Sequence, residues 1–218
     1  QRKKDGDGDG DGDDVGDAAA AALAKLCQTA DCCDKVTNAW NADKGLCMPI
    51  DKTNEENTFV AGMSNGGFMS YTLGCNKSNV FKAIASVTGT MSGKDWKNCS
   101  PVNKIPVLQI SGTDDTTVPW DGSMSTSYGW GGAPHIKKVV EFWGDLNQCD
   151  QVEEFDFPDI DNSDKSTVSL TKRKGSSDGN EVWFYTVKGG GHDWPGSWGN
   201  KDMSASEEIW KFFKNHLK

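Results

Sequence analysis

Short apolar runs alternate with amphipathic stretches along most of the chain. The apolar runs are rich in β-branched residues and bounded by Gly, Pro or Asp, which is typical of buried parallel strands. They cover residues 58–62, 82–87, 106–110 and 181–187. The amphipathic or helix-forming stretches cover residues 67–74, 136–146 and 204–217. Because strands alternate with helices, the pattern predicts the α/β class, with a mainly parallel sheet flanked by helices.

The N-terminal part of the chain follows a different pattern. Asp and Gly alternate over 5–13, and such a tract cannot bury apolar surface, so we predict an acidic tail over residues 1–14. The tract imitates the start of a calcium loop but lacks the Glu that an EF-hand needs at its twelfth position. An Ala-rich helix is predicted over 17–26, and the Cys- and Asn-rich stretch 27–57 predicts a disulfide-pinned loop or insertion. We therefore expect one domain over residues 15–218.

Composition narrows the classes of function. The formal net charge is −9, which argues against a nucleic-acid partner. The longest apolar run, the Ala-rich segment 18–24, is too short to span a membrane. The seven Cys show no zinc-ligand spacing and suit an exported protein, with Cys75 and Cys99 as the best disulfide pair because they bracket one strand unit. Glycosylation sequons at Asn76 and Asn98 also fit export.

A G-x-S-x-G sequence follows directly on the first predicted strand and runs into the first predicted helix. A serine hydroxyl is a poor nucleophile until it is lifted clear of the backbone and paired with a base. Small residues at Gly62 and Gly66 allow the sharp strand-to-helix turn that exposes Ser64. The backbone N–H of Asn65 then lies at the positive end of the helix, where it can stabilise an oxyanion. Ser64 is therefore the candidate nucleophile, and Asn65 the candidate oxyanion donor.

Three His could serve as the general base that such a serine needs. His216 lies in the last turn of the final predicted helix, where a cation would interact favourably with the helix dipole. His135 follows Pro134 at a helix start, where we expect it to be exposed. His192 lies in the Gly-rich loop 189–196, directly after the last predicted strand. Because such a loop serves no packing purpose, His192 is the candidate base.

The acid of a hydrolase triad is expected between the Ser and the His in sequence. The predicted strand 106–110 is followed by two neighbouring acids, Asp114 and Asp115. An Asp at the carboxyl end of a strand can orient the imidazole and stabilise its cation. Either Asp could instead cap the turn, so the pattern leaves both open.

Three blocks of this sequence resemble the extracellular polyhydroxybutyrate depolymerase and feruloyl esterase group of α/β-hydrolases. They read GMSNGG at 62–67, GTDD at 112–115 followed by VP at 118–119, and GGGHDWPG at 189–196. The resemblance runs from about residue 58 to the C-terminus and preserves the order of the blocks. It implies an α/β-hydrolase-like fold in which Ser64 is the nucleophile, His192 the base and Asp115, rather than Asp114, the acid.

The family also carries a His-Gly segment in strands ahead of these blocks, which contributes a second oxyanion-hole N–H. Nothing in this chain matches that segment. We therefore expect a sheet truncated on its N-terminal side. The same difference motivates a second hypothesis, in which the protein is a non-catalytic descendant that binds a polymer or carbohydrate.

Six of the nine Trp fall between the acid block and a position just after the His block. Trp143 and Trp183 lie in a predicted helix and strand, where packing in the core is expected. The other four lie in Gly-rich loops near the candidate acid or base, namely Trp120, Trp130, Trp194 and Trp198. Because loops at the carboxyl ends of strands surround the site of an open α/β sheet, these four predict an aromatic substrate groove. Ordinary packing is the alternative.

The first hypothesis is thus a secreted serine esterase that uses a Ser-His-Asp acyl-enzyme mechanism and no cofactor or metal. Its expected substrate is an ester polymer, or an ester linked to a plant or algal polysaccharide. Polyhydroxyalkanoate, feruloyl and acetyl esters are not separated by the sequence, because apolar pockets discriminate weakly between related acyl groups. We expect a monomer, with neither a nucleic-acid nor a membrane partner.

Overall fold

The computed structural model describes residues 38–41, 46–49, 55–127 and 129–217. By internal contacts the chain divides into two units, Gln1–Glu55 and Glu56–Lys218. In the first unit, strand β1 (Asn38–Asn41) pairs antiparallel with strand β2 (Leu46–Pro49).

The prediction of a loop over 27–57 is therefore wrong in part, because this stretch contains a strand pair and a 3-10 turn at Glu55–Asn57. Strands of four residues are too short to show a period in the sequence. The predicted tail over 1–14 and helix over 17–26 lie outside the described residues, and the single domain over 15–218 stays a prediction.

The second unit is built on a six-stranded sheet. Its strands are β3 (Phe59–Met63), β4 (Ala83–Val87), β5 (Val107–Gly112), β6 (Gln151–Asp156), β7 (Thr167–Lys174) and β8 (Val182–Lys188). They lie in the order β3-β4-β5-β8-β7-β6. The first four in this order are parallel, and β7 and β6 add antiparallel strands beside β8. The predicted α/β class with a mainly parallel sheet is confirmed.

Four helices complete this unit within the described residues. They are α1 (Asn65–Asn76), α2 (Gly93–Asn98), α3 (Ile136–Leu146) and α4 (Ala205–Lys214). The predicted strands are each found within two residues of their expected bounds, and α3 has the bounds predicted. Helix α4 ends three residues before the predicted end, at Lys214.

The core lies on both faces of the sheet, as the continuous burial of its central strands requires. On β4, Ala83 and Ala85 point to one face and Ile84 to the other, because side chains alternate along a strand. Helix α4 covers the first face, while α1 and α3 cover the second. Trp143 and Trp183 are buried in these two clusters, as predicted.

Strands β6 and β7 and helix α2 are not evident from the sequence pattern. β6 is largely exposed and carries three acids, so it shows no apolar run. β7 buries only alternate residues, Val168 and Leu170, and its other positions are polar. A polar sheet face in contact with water is normal for antiparallel strands, so neither strand carries the apolar run that marks a buried strand in the sequence.

Cys75, near the end of α1, forms a disulfide with Cys99, which follows α2, so the predicted pair is confirmed. The loop that this bond closes contains β4 and α2. Cys149 is a free thiol. No helix among the described residues is long and apolar enough to cross a membrane.

Candidate active site

Ser64 occupies the turn between β3 and α1 in a strained backbone conformation. Its φ of 52° and ψ of −117° are rare for a residue with a side chain. The Ser64 N–H donates to the Val87 carbonyl at 2.9 Å, and the Ser64 carbonyl accepts from the Phe68 N–H at 3.0 Å. Such strain costs about 1–3 kcal/mol and persists only where the surrounding structure imposes it. The geometry therefore has the form of a nucleophile elbow.

The two glycines on either side of Ser64, Gly62 and Gly66, differ in the space around them. A β-carbon built on Gly62 would lie 2.4 Å from the carbonyl carbon of Gly66, so the turn is closed by contact between the two backbones. A β-carbon built on Gly66 would have no described atom within 4 Å. Among the described residues, steric contact therefore excludes a side chain at position 62 but not at position 66.

His192 and Asp115 are joined by a hydrogen bond between Nδ1 and Oδ2 at 2.8 Å. Asp115 is 5% exposed, and its other carboxylate oxygen accepts from the backbone N–H groups of Thr117 and Val118, each at 2.8 Å. The acid is thus fixed by three hydrogen bonds, and the imidazole is oriented by one of them. Asp114, its competitor in the sequence, is exposed and accepts from the hydroxyl of Thr113.

The loops that carry the acid and the base are joined by backbone contacts. Strands β5 and β8 are parallel neighbours, so both loops leave the same edge of the sheet. The Gly189 N–H donates to the Thr113 hydroxyl at 2.9 Å, and the Asp114 N–H donates to the Gly190 carbonyl at 2.9 Å. The close approach of the two loops requires glycine at the end of β5, because a β-carbon built on Gly112 would lie 2.2 Å from the Gly190 carbonyl oxygen.

Asp193, the residue after the candidate base, carries a second acid into the site. Burial raises the pKa of the Asp193 carboxyl, and the negative charge of the nearby Asp115 raises it further. A hydrogen bond from the Gly191 N–H lowers the same pKa. The cause is that a half-buried carboxylate loses hydration in its charged form.

The other two His, His135 and His216, make structural contacts. His135 caps the start of α3, where its Nδ1 accepts from the Lys137 N–H at 3.1 Å. The expectation that His216 lies in the last helical turn is wrong, because α4 ends at Lys214. Burial lowers the pKa of His216, which disfavours a cation there, and its ring packs edge-on against Phe212.

The four loop Trp differ in their surroundings. Trp130 lines a cavity of about 740 Å³ that also includes Asn65, and Trp120 lines one of about 480 Å³ that includes Asp115. Trp120 is also stacked on the buried Phe184, so it contributes to packing. Trp194 packs against the core and donates to the Ser206 hydroxyl, and Trp198 is 52% exposed. Trp120 thus shares a cavity with the candidate acid Asp115, and Trp130 shares a different cavity with the candidate oxyanion donor Asn65.

Several residues that shape the site are missing from the sequence-based prediction. The N–H groups of Thr117 and Val118 hold Asp115, and Thr113 links the two loops. An Asp followed by polar residues is a common start for a turn in which its carboxylate accepts from N–H groups two and three residues later. The sequence carries this turn pattern at Asp115, and the structure shows that the turn begins there. Within the described ranges no three His, Cys, Asp or Glu side chains are grouped so as to hold a metal ion.

No protein-family model matches the chain. It is 35% identical over 83 residues to the probable feruloyl esterase C of Aspergillus niger, a match that covers 38% of this chain and 27% of that protein. It is 30% identical over 181 residues to the probable feruloyl esterase C of Aspergillus clavatus, covering 83% of this chain and 55% of that protein. The chain thus spans between about a quarter and about half the length of these relatives.

Among solved structures, the chain is similar to an acetyl xylan esterase from Aspergillus awamori. The TM-score is 0.47 with 13% sequence identity, and the match covers 75% of this chain and 61% of that one. The two sequence relatives described above both carry the name probable feruloyl esterase C, at 35% and 30% identity.

Proposed function

We propose that this protein is a serine carboxylic ester hydrolase with Ser64, His192 and Asp115 as its catalytic triad. The observation that carries the proposal is the 2.8 Å hydrogen bond between His192 and the buried Asp115. It lies at the edge of the sheet where the parallel strand β3 ends in the strained Ser64. The feruloyl esterase names of the sequence relatives support the same reaction class.

The three residues have distinct roles in this mechanism. His192 takes the proton of the Ser64 hydroxyl as the oxygen attacks the ester carbonyl, and the alcohol leaves with that proton. Asp115 stays ionised, holds the imidazole in the required tautomer and stabilises its cation. A water molecule, activated by His192, then releases the acid from the acyl-enzyme and restores Ser64.

The oxyanion that forms at each step needs hydrogen-bond donors. The Asn65 N–H is the first of α1, and the first N–H groups of a helix have no partner within the helix. It also lies at the positive end of the helix dipole, which favours a developing negative charge. We propose Asn65 as an oxyanion donor, whose loss would cost about 10²–10³ in kcat by analogy with a studied protease.

For the substrate, we propose an ester of an aromatic acid attached to a polysaccharide, cleaved outside the cell. The names of the relatives favour a feruloyl ester over a hydroxybutyrate polymer. The two cavities lined by Trp120 and Trp130 offer aromatic surfaces beside Asp115 and Asn65. Trp194 and Trp198, further along the His192 loop, are proposed as outer contacts of the same substrate.

The proposal is tested by turnover of p-nitrophenyl acetate and methyl ferulate. We expect hydrolysis of both by the wild-type protein, and loss of about 10³-fold or more in kcat for Ser64→Ala. Ser177→Ala, which removes an exposed serine hydroxyl from the loop between β7 and β8, serves as the matched control and is expected to retain activity. Binding of polysaccharide without any turnover would favour the non-catalytic hypothesis instead.

A further inference from the structure

Gln109 is a buried polar residue in the middle of an apolar strand. It lies in β5 with 0% exposure, and its neighbours Val107, Leu108 and Ile110 are buried as well. A buried amide costs free energy unless its hydrogen bonds are made within the protein. The triad described above does not use Gln109, so its position requires another reason.

The Gln109 amide forms hydrogen bonds in two directions. Its Nε2 donates to the Gly89 carbonyl at 2.8 Å and to the Ser111 hydroxyl at 2.7 Å. Its Oε1 accepts from the Tyr71 hydroxyl at 2.7 Å. A backbone carbonyl can only accept, so the NH₂ group must be the end that faces Gly89. The contacts therefore fix the orientation of the amide.

Gly89 lies directly against the nucleophile elbow. A β-carbon built on it would lie 2.6 Å from the Ser64 carbonyl oxygen and 2.7 Å from the Gly67 α-carbon. The residue before it, Thr88, has a positive φ of 44° and donates its N–H to the Ile110 carbonyl at 2.9 Å. Gln109 thus holds the carbonyl of the same residue whose α-carbon packs against Ser64.

Tyr71 connects the amide back to the same elbow. It lies on α1, the helix that begins immediately after Ser64, and it is fully buried. Burial raises the pKa of Tyr71, so its hydroxyl stays neutral and can donate at all ordinary pH values. The elbow is therefore held at two points by one side chain, through Gly89 beneath it and through the helix that follows it.

We propose that Gln109 is a positioning residue that holds the Ser64 nucleophile in its strained, reactive geometry. The inference rests on the proposed function, since it assumes that Ser64 reacts. A displacement of about 1 Å in a reacting group can cost about 10²-fold in rate, so even a small relaxation of the elbow is measurable. Gln109 lines neither of the two cavities proposed for the substrate, so the effect is expected in kcat and not in KM.

The test compares two replacements of buried amides. Gln109→Met keeps the length of the side chain and removes its hydrogen bonds. Asn147→Leu does the same at a second fully buried amide, whose Nδ2 donates to the Ile105 carbonyl at 2.9 Å. Ile105 precedes β5, so this control lies toward the opposite end of the strand from the acid loop. Both variants are assayed for thermal unfolding, for kcat and KM, and for the rate at which a fluorophosphonate labels Ser64.

Gln109→Met is expected to fold, to lose about 10²-fold in labelling rate and kcat, and to keep the wild-type KM. Asn147→Leu is expected to lose stability but to label Ser64 at the wild-type rate. A wild-type rate in Gln109→Met, or an equal loss in both variants, would overturn the inference while leaving the esterase proposal intact. Failure of wild-type Ser64 to react would instead overturn the proposed function.

A milder variant keeps the test decisive if Gln109→Met does not fold. Tyr71→Phe removes one hydroxyl and keeps the buried ring, so only one of the hydrogen bonds of Gln109 is lost. We expect slower labelling of Ser64 than in the wild type, with a smaller loss than in Gln109→Met. An unchanged rate in Tyr71→Phe would contradict the role given to the Gln109 network.

Discussion

Ser64 shows, at the scale of single residues, how a strained conformation is accommodated by a close approach of the backbone. Its positive φ occurs in a turn so tight that a β-carbon built on Gly62 would overlap the backbone of Gly66. Asp115 is held in a similar way, since two backbone N–H groups share one of its oxygens and leave the other for His192. Substitutions of only one or two atoms at these positions should therefore have large effects on stability or activity.

Alanine replacements on either side of Ser64 test whether the contact between Gly62 and Gly66 limits stability. Gly62→Ala is expected to lower the free energy of unfolding by about 1–3 kcal/mol, because the new methyl group meets the Gly66 backbone. Gly66→Ala has free space in α1 and is expected to be neutral or to stabilise by about 0.4–1 kcal/mol. Urea denaturation of both variants measures the difference, and equal effects would show that the contact at Gly62 is unimportant.

At the scale of elements, the sequence predicts the parts that are buried on both faces and misses those that are not. The runs that form β4 and β5 are apolar throughout or nearly so, and their bounds are predicted within two residues. The polar strand β6 carries no such signal, and its pairing depends on contact with β7, which is remote in sequence.

The candidate site divides in the same way. Ser64 and His192 lie in Gly-rich blocks whose turns have local signatures, so sequence indicates them directly. Asp114 and Asp115 are equivalent in local pattern, and only the resemblance to a family distinguishes them in sequence. In the structure, Asp115 is the one that meets His192, because the turn that follows directs its carboxylate inward. In the sequence, Gln109 is only a polar residue within an apolar strand. Its proposed role depends on contacts with α1 and with the segment after β4, which are remote in sequence.

The end of α4 provides a pH-dependent test at this scale. Burial lowers the pKa of His216 below its usual 6.5, so the unfolded chain takes up a proton before the folded one does. The free energy of unfolding should therefore fall as the pH is lowered from about 7.5 to about 5.5, across the usual pKa of 6.5. His216→Phe keeps a ring against Phe212 and cannot titrate, so it should lose less stability over the same interval. Denaturation at pH 7.5 and 5.5 checks this, and identical losses in both proteins would contradict it.

At the scale of the whole second unit, the sheet order determines where chemistry can occur. Strands β3, β4, β5 and β8 are consecutive and parallel, so the loops that carry the three proposed triad residues leave one edge of the sheet. Open α/β sheets bind their ligands at that edge. The antiparallel strands β7 and β6 extend the sheet beyond the loop that carries His192. At this edge the ends of β5 and β8 bring Asp115 and His192 together without any further element.

The most direct measurement of this account is peptide mapping after treatment of the folded protein with a fluorophosphonate. We predict a single adduct on Ser64, which is absent after unfolding and forms on the order of 10⁴-fold more slowly in Asp115→Asn, where the imidazole is held in the wrong tautomer. A folded wild-type protein that carries no adduct on Ser64, or one that is labelled instead at another serine, would contradict the account.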